Sequence, residues 1–424
     1  MVTESDVVVV GAGLAGLRCA HELERAGLDV VVLERSDAPG GRIRTESVDG
    51  HLLDRGFQLL NPGYPAVRRW VDTDGLDLHA FDAGVALRDA TGTRRLGHPW
   101  HAPHLLGASA AAVAGDVPSG LRLARWLAPV LRPSRRTLTE RLLVKPDGDL
   151  AGSLDAAGVR GVPRTVLDRF LAGVVLDDTG ASSAQFARLL ISSFVAATPA
   201  LPREGMEALP RQLAARLAAP VRTGVEVDGV VRGRTPVVRT SGGEHHARAV
   251  VVATAAPAAE DLLGTPAPPQ RGVVTEWYTT DEPPAPPERA RLLHVDGHDR
   301  PTGPLVNTAV MSTAAPSYAP PGKHLVAASA LLGPDRPVPS SAAMRAHAGA
   351  LLGTDPGSWQ LLRRDDVPHA LPAQLPPLTH RRRTDLGDGI FVAGDHRDTA
   401  SIQGALVSGH RAAAAVLTAL GVAR

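Results

Sequence analysis

The sequence predicts an α/β protein in which a parallel-sheet domain carries an inserted α+β domain. The chain opens with a strand, a glycine-rich turn, a helix and a second strand that ends at Glu34. Mostly helical patterns with proline-rich breaks extend over residues 64–200, and strand patterns return after residue 200. At 424 residues, the chain has room for about two or three domains of ordinary size.

Residue types predict each element of the opening unit. Asp6–Val10 is a β-branched run, typical of a strand buried on both faces of a parallel sheet. Leu14–Ala26 carries an apolar stripe at helical spacing, and Gly27 is a typical helix stop. Val30–Leu33 is a second buried strand. Together they predict a β-α-β unit.

The remaining patterns assign five intervals of the chain to two domains. Residues 1–63, 201–265 and 386–424 are predicted to form the first domain in three parts. Residues 64–200, mostly helical, and 266–385, mostly sheet, are predicted to form the inserted domain. The later strands are expected at 220–230, 234–239, 249–253, 271–279, 324–332 and 389–393, and the last helix at 401–420.

Composition argues against several classes of function. The 45 basic residues balance 44 acidic ones, which removes the electrostatic footprint of a nucleic-acid binder. The single cysteine, Cys19, excludes an internal disulfide framework and favours a reducing compartment. No apolar stretch reaches the roughly 20 residues needed to span a bilayer, and no secretory signal precedes the first strand. We therefore expect a cytoplasmic protein that does not bind nucleic acid.

A dinucleotide fingerprint lies between the first strand and the first helix. Residues 11–16 fit GxGxxG with Ala15 in the fifth position, and the acidic Glu34 follows about 20 residues later. Gly11 permits the tight turn, Gly13 lets the backbone approach a pyrophosphate, and Gly16 allows close helix packing. The helix N-terminus offers unpaired N–H groups, and Glu34 would accept hydrogen bonds from ribose hydroxyls. This context predicts a Rossmann-like nucleotide site.

A second glycine-rich segment bears on which dinucleotide binds. Gly40 and Gly41 lie between Arg35 and Arg42, just after the second strand. Backbone and guanidinium donors there would reach the pyrophosphate from a second side. The whole of residues 6–45 resembles the opening of the flavin-containing amine oxidase and carotenoid desaturase superfamily. The resemblance implies FAD as the cofactor and a Rossmann-like FAD-binding domain with an inserted α+β substrate-binding domain.

Two internal segments and one further position carry the same resemblance. Asp54-Arg55-Gly56-Phe57 resembles the Asp-x-Gly step that follows the opening in those enzymes. Pro202–Leu213 resembles the Pro-x-Gly-Gly-Met segment that leads back into the FAD domain, with Glu204 in place of the first glycine. Val225 matches the position whose backbone holds the adenine.

The C-terminal segment 392–409 is the other strong match. The resemblance implies that Gly394 and Asp395 touch the ribityl and pyrophosphate region of the cofactor. It also implies that the following helix, with Gln403 and Ala405 near its start, points its N-terminus at the isoalloxazine ring. Helix N–H groups there would stabilise the negative charge that builds on the reduced ring.

The choice of substrate depends on the branch of this family. Amine oxidases of this kind place a lysine near the flavin and enclose the amine between aromatic rings. This chain has no lysine between Ala253 and Gly322, Lys323 opens a strand after a turn, and Ser401 stands where one ring of the cage would be. Residues 394–409, with Ala370-Leu371-Pro372, look closer to plant-type carotene desaturases and their bacterial relatives.

The lead hypothesis is an FAD-dependent dehydrogenase or desaturase that transfers hydride from an apolar substrate carbon to flavin N5. No residue of the sequence is identified as a catalytic base. Only one dinucleotide fingerprint is visible, so oxygen, a quinone or a protein carrier is expected to reoxidise the flavin. One alternative is an amine or protoporphyrinogen oxidase that releases hydrogen peroxide. A second is a non-oxidative isomerase or a flavin-binding accessory protein.

Four other features of the sequence are candidates for a functional role. His98, His101 and His104 are spaced three residues apart. The prolines between them argue against a helix, so no metal site is predicted. His396 follows Gly394-Asp395 and is expected to make a structural hydrogen bond, with a proton-relay role as the alternative. Asp177-Asp178 is expected to be a solvated turn. The helix predicted at 120–131 is apolar and basic, so it could contact a membrane or face the core.

Overall fold

The computed structural model describes residues 2–131 and 146–422. The strands are β1 Val2–Val10, β2 Val30–Leu33, β3 Thr45–Val48, β4 His51–Asp54, β5 Leu78–Ala80, β6 Gly84–Asp89, β7 Gly92–Gly97, β8 Ala200–Pro202, β9 Val227–Val231, β10 Val237–Thr240, β11 Gly243–Val252, β12 Gln270–Thr280, β13 Leu293–Asp296, β14 Leu305–Val310, β15 His324–Leu332, β16 Gln360–Pro372, β17 Asp385–Gly387 and β18 Ile390–Val392. The helices are α1 Leu14–Arg25, α2 Pro65–Trp70, α3 Leu106–Val113, α4 Val117–Leu131, α5 Leu150–Ala156, α6 Gly161–Val175, α7 Ala184–Ala196, α8 Ala208–Ala214, α9 Ala256–Leu263, α10 Met311–Ala314, α11 Ser341–Leu352 and α12 Ile402–Leu420.

The first sheet has the order β17-β18-β11-β1-β2, with β10 and β9 continuing from β11. β1 runs parallel to both β2 and β11, and β11 runs parallel to β18. Their valine-rich stretches are buried because helices and further strands cover both faces. Since these four strands are parallel, their carboxyl ends meet at one edge of the sheet. That edge is where ligands bind in open α/β sheets.

The second sheet has the order β16-β12-β15-β14-β13-β6-β7. Its pairs are antiparallel except for β13 with β6. One face packs with α11 around a core that includes Val274, Val326 and Leu352. The other face carries Trp277 and Ala327, which pack with Leu53 and Phe81. Its strands come from the intervals 64–200 and 266–385, which the sequence assigns to the inserted domain.

Most predicted elements are observed within a few residues of their expected bounds. β15 spans residues 324–332 as predicted, and α12 begins one residue after Ser401. β9 begins only at Val227, because the residues before it run beside the first sheet through a single bridge between Leu33 and Arg222. The predicted α/β fold class is confirmed.

The interval 64–200 is less purely helical than predicted. It contributes the hairpin β6–β7, whose first strand pairs in parallel with β13 and extends the second sheet. Every residue of β7 is only partly buried, so the strand lacks the apolar alternation that marks a half-buried strand in a sequence. Among the residues described, no helix is both long and apolar enough to cross a membrane.

Candidate dinucleotide-binding site

The fingerprint loop lies at the carboxyl end of β1 and leads directly into α1. Gly11 has φ +98° and donates its N–H to the Leu33 carbonyl oxygen at 2.7 Å. A Cβ at Gly16 would collide with the Gly11 carbonyl oxygen, whereas a Cβ at Gly13 would meet no protein atom within 4 Å. Gly13 caps α1 without a side chain, so no side-chain cap occupies the N–H groups of the first turn, which includes Ala15. The loop is therefore shaped for an anionic group close to Gly13.

Glu34 is anchored at the end of β2 with 6% of its surface exposed. Its Oε2 accepts the Ala12 N–H at 2.8 Å, and its Oε1 accepts the Ser36 N–H at 2.9 Å. The Val225 N–H donates to the Glu34 carbonyl oxygen at 2.9 Å. The structure therefore brings Val225, the position that the resemblance assigns to the adenine, beside Glu34. Each carboxylate oxygen has two lone pairs, so Glu34 can still accept hydrogen bonds from ribose hydroxyls.

The second glycine pair packs against the fingerprint loop. Gly40 has φ +138° and donates its N–H to the Ala12 carbonyl oxygen at 2.9 Å. Gly41 has φ +62°, is exposed, and a Cβ there would lie 3.5 Å from the Gly13 Cα. Arg35, by contrast, is exposed at the end of β2. The two glycine segments thus face one another across the space in front of Gly13.

Arg42 connects this loop to two distant parts of the chain. Its Nη2 lies 2.7 Å from Asp395 Oδ2, and its Nη1 donates to the Ala370 carbonyl oxygen at 2.6 Å. Asp395 is buried, while 36% of the Arg42 side chain is exposed. The ion pair therefore joins two predicted cofactor residues, and the second contact of Arg42 adds the end of β16 to the same junction.

The turn after β18 holds a buried and neutral histidine. Gly394 has φ +145°, and its N–H donates to Ser408 Oγ at 3.0 Å. A Cβ there would collide with the ring of His396, which is 5% exposed. Burial lowers the pKa of His396 to about 4, against the opposing effect of Asp395. Its Nδ1 has no hydrogen-bond partner among the described residues, so the predicted structural hydrogen bond is not observed at that atom.

The N-terminus of α12 is capped by Ser401, whose Oγ accepts the Gly404 N–H at 3.1 Å. Ala405 follows in the first turn, as predicted. Gln403 Oε1 instead accepts the Ala66 N–H at 2.8 Å, so this side chain caps α2. A Cβ at Gly409 would collide with the Ala15 carbonyl oxygen, so α1 and α12 pack closely.

These residues fit FAD. Two glycine turns leave space where a Cβ would intrude, and an anchored carboxylate lies where the fingerprint predicts the ribose. Helices α1 and α12 both begin at the same sheet edge. The buried, unmatched Nδ1 of His396 lies next to Asp395 at that edge. The individual contacts of the cofactor residues remain predictions.

Sequence reasoning did not identify the junction around Asp54. Asp54 is fully buried at the end of β4, where its Oδ1 accepts Thr45 Oγ1 at 2.6 Å and the Met206 N–H at 3.0 Å. Its Oδ2 accepts the Tyr318 hydroxyl at 3.0 Å. Burial raises the pKa of Asp54 to about 6. An acidic residue in an apolar strand was the available signal, but its partners come from three separate segments.

The side chains of Lys323 and Asp177 make structural contacts. The Lys323 ammonium pairs with the exposed Asp281, so it lies on an outer turn. The expectation of a solvated turn is wrong for Asp177, which is 5% exposed. Its carboxylate accepts hydrogen bonds from Thr179 and Ser182. Four local donors, the N–H and hydroxyl groups of those two residues, therefore outweigh the cost of its burial.

Short segments of the chain are similar to named oxidases. Putrescine oxidase of Kocuria rosea is 46% identical over 76 residues, which are 18% of this chain and 16% of that protein. L-amino-acid oxidase of Sistrurus catenatus edwardsii is 40% identical over 75 residues, or 18% of this chain and 14% of that protein. The matched segments thus span less than a fifth of these relatives.

Solved structures share the fold along nearly the whole chain. A double mutant of putrescine oxidase superposes with a TM-score of 0.71 at 17% identity, covering 99% of this chain and 100% of the other. A candidate protoporphyrinogen oxidase from Exiguobacterium sp. 255-15 gives a TM-score of 0.73 at 17% identity, covering 98% and 99%. At this identity the similarity establishes the fold.

A family model extends the similarity from fold to chemistry. The flavin containing amine oxidoreductase family matches residues 14–417. The match includes residues 14–16 of the fingerprint, the second glycine pair and the turn after β18, and it confirms FAD as the cofactor. The chain therefore belongs to the flavin-containing amine oxidoreductase family and is an FAD-dependent oxidoreductase.

Proposed function

We propose that the protein oxidises an apolar organic small molecule by removing hydride from a substrate carbon, as a desaturase does. The observation that carries this proposal is an apolar cluster at the entrance to α12. Ala400, one residue before the helix cap, packs in a buried cluster with Val175, Phe186, Leu190 and Leu378. These side chains come from α6, α7 and the segment after β16, so part of the inserted domain meets the flavin-side helix through apolar groups.

The carboxylates just before α12 are already paired, Asp395 with Arg42 and Asp398 with Arg411, so they offer little to a charged amine. Lys323 is paired with Asp281 on an outer turn, and the Ser401 hydroxyl caps the helix. The neighbouring His396 is neutral above about pH 4 because burial lowers its pKa. An apolar wall excludes water and favours a substrate without charge.

The chain's own groups would position and polarise the cofactor. FAD, when bound, supplies the hydride acceptor. The free N–H groups of the α12 first turn would stabilise negative charge near its ring, while the ion pair of Arg42 and Asp395 would hold the two flanking loops together. With the acceptor supplied by the cofactor, the substrate carbon needs no strong side-chain base. Oxygen, a quinone or a protein carrier would then remove the electrons.

An amine oxidase is the second candidate. It is favoured by the names of the relatives, putrescine oxidase and L-amino-acid oxidase. In such an enzyme the substrate amine would have to be neutralised or bound without a nearby lysine. A protoporphyrinogen oxidase shares the requirement for oxygen and the release of hydrogen peroxide.

Anaerobic bleaching of the bound flavin tests these candidates directly. The holoenzyme would be mixed, without oxygen, with putrescine, L-amino acids, protoporphyrinogen and liposome-embedded polyenes, and the flavin absorbance followed. We expect bleaching by an apolar substrate and not by the amines. Bleaching by amines alone, with peroxide formed when air is admitted, would reject the proposal. If no compound bleaches the flavin but one is isomerised, the non-oxidative alternative would replace it.

A peripheral membrane contact would suit a lipid-soluble substrate. The segment 100–131 exposes a set of large apolar side chains: Trp100, Leu106, Val117, Leu121 and Leu131. Arg122 and Arg125 are exposed on α4 among them. Exposed apolar groups interspersed with cations are the features of a surface that binds anionic lipid. We therefore include membrane contact through this segment in the proposal.

A further inference from the structure

A basic pocket of about 380 Å³ lies where α1, α2 and α12 come together. Four arginines line it, namely Arg18, Arg25, Arg69 and Arg216, and Glu22 is the sole carboxylate among its described lining residues. None of these residues belongs to the glycine loops or to the turn after β18. The pocket is therefore separate from the FAD site and carries an excess of positive charge.

The innermost cation of this pocket is incompletely compensated. Arg18 is 4% exposed, its guanidinium carbon lies 4.5 Å from the centre of the Trp70 ring, and it pairs with Glu22. Its Nε has no hydrogen-bond partner among the described residues. Glu22 is also shared, because its Oε1 lies 3.1 Å from His410 Nδ1. One carboxylate thus serves two basic side chains.

Electrostatic crowding adds to this deficit. Burial, together with the nearby Arg25, Arg69 and Arg216, lowers the pKa of Arg18 to about 10. Like charges gathered around a buried guanidinium raise the free energy of the empty pocket. An anion would relieve both the repulsion and the unmatched donor.

We propose that this pocket binds a compact phosphate-bearing anion through the guanidinium groups of Arg18, Arg25 and Arg69. Planar guanidinium groups match phosphate oxygens in pairs, which favours phosphate over a single-point acceptor. Trp70 is already engaged by Arg18 and by His410, whose ring centre lies 5.1 Å away. The pocket therefore recognises the phosphate group and not an aromatic base.

Binding would join four parts of the first domain. Arg18 and Arg25 come from α1, Arg69 from the end of α2, Arg216 follows α8, and His410 lies on α12. α1 begins at the fingerprint loop and α12 begins at the proposed flavin-side cap. A phosphate bound in the pocket between these helices would stabilise the folded holoenzyme by mass action.

Calorimetric titration of the holoenzyme with inorganic pyrophosphate tests the proposal. The holoenzyme is used so that FAD occupies its own site, and a constant flavin absorbance verifies that it stays there. We compare wild type with R25Q/R69Q, and with R234Q/R300Q, which removes the same charge from exposed positions elsewhere. We expect one saturable site, at least about tenfold weaker in R25Q/R69Q and within about twofold of wild type in the control.

Three results would overturn the proposal. One is the absence of a saturable signal with pyrophosphate. Another is equal weakening in both double variants, because that would mean attraction to net charge alone. The third is equal affinity for malonate, which would indicate a carboxylate site. Should R25Q/R69Q lose flavin or stability, the single exposed change R25Q provides the same comparison.

Discussion

Two glycines of the fingerprint loop restrict side chains for different reasons. Gly16 is required by the protein itself, because a Cβ there would strike the Gly11 carbonyl oxygen. Gly13 has open space around its missing Cβ, so the protein alone places no demand on it. Glycine at position 13 is therefore explained by the ligand that approaches the loop.

We expect Gly13→Ala to separate folding from cofactor binding. The apoprotein should unfold at nearly the wild-type temperature, while FAD affinity should fall by at least about tenfold, since a methyl group would enter the pyrophosphate space. Flavin content per chain and thermal unfolding of the apoprotein measure the two effects. Gly107→Ala, at an open helical position, is the control and should change neither. Full flavin content in Gly13→Ala would show that the pyrophosphate lies elsewhere.

Single residues were the least predictable level of the site. The glycines, Glu34 and Arg42 follow from motif spacing, because their function depends on backbone shape and on neighbours close in sequence. Gln403 caps α2 instead of facing open space, and this depends on how α2 packs against α12. The partners of Asp54 come from residues 45, 206 and 318, so no local pattern could predict them.

At the level of elements, Asp54 holds three segments together. β3 contributes Thr45, the segment before α8 contributes Met206, and the short 3-10 turn before β15 contributes Tyr318. A buried carboxylate is costly when charged, even with these three donors. Its pKa of about 6 in the folded protein, against 3.8 ordinarily, expresses that cost.

We expect the stability of wild type relative to Asp54→Asn to depend on pH. A raised folded-state pKa gives stability that is fully present below about pH 4 and is lost as the pH rises through about 6, which corresponds to about 3 kcal/mol. The free energy of unfolding of wild type should therefore fall relative to that of the variant over that interval. Above it, the difference between the two proteins should stay constant. Denaturant unfolding at several pH values measures the difference. A pH-independent difference would contradict the assigned pKa.

Strands and helices with strong patterns were predicted well. The valine runs of β1, β2 and β11, and the long apolar stripe of α12, carry their periodicity in consecutive residues. The hairpin β6–β7 was not predicted, because it lies at the sheet edge and β7 presents arginines and threonine with only partial burial. Its place depends on pairing with β13, which is about 200 residues away in the chain.

At the level of the whole molecule, the segment 100–131 exposes large apolar side chains, which is unfavourable for a monomer surrounded only by water. Trp100 is 73% exposed and Leu121 is 68% exposed. Large exposed apolar side chains within one segment are typical of a surface that contacts another apolar phase, and the proposed membrane contact rests on them. The segment lies within the interval 64–200, which the sequence assigns to the inserted domain.

Liposome flotation with anionic lipid tests that contact. We expect wild type to float with the liposomes. L106E/L121E should remain in the soluble fraction, because insertion into lipid would require the burial of two carboxylates. V338E changes a similarly exposed apolar residue outside the segment and should float like wild type. A wild-type protein found wholly in the soluble fraction would remove membrane contact from the proposed function.

The order of strands in the first sheet has a consequence for biosynthesis. β1 pairs with β11, in which Glu244 lies opposite Val2, and β11 pairs in turn with β18 at residues 390–392. A ribosome therefore releases the fingerprint loop long before the strand, the Gly394 turn and the helix that complete its surroundings. Flavin loading must await translation of the segment from β18 to α12, so a chain halted midway presents a glycine loop without the part of the site that this segment forms.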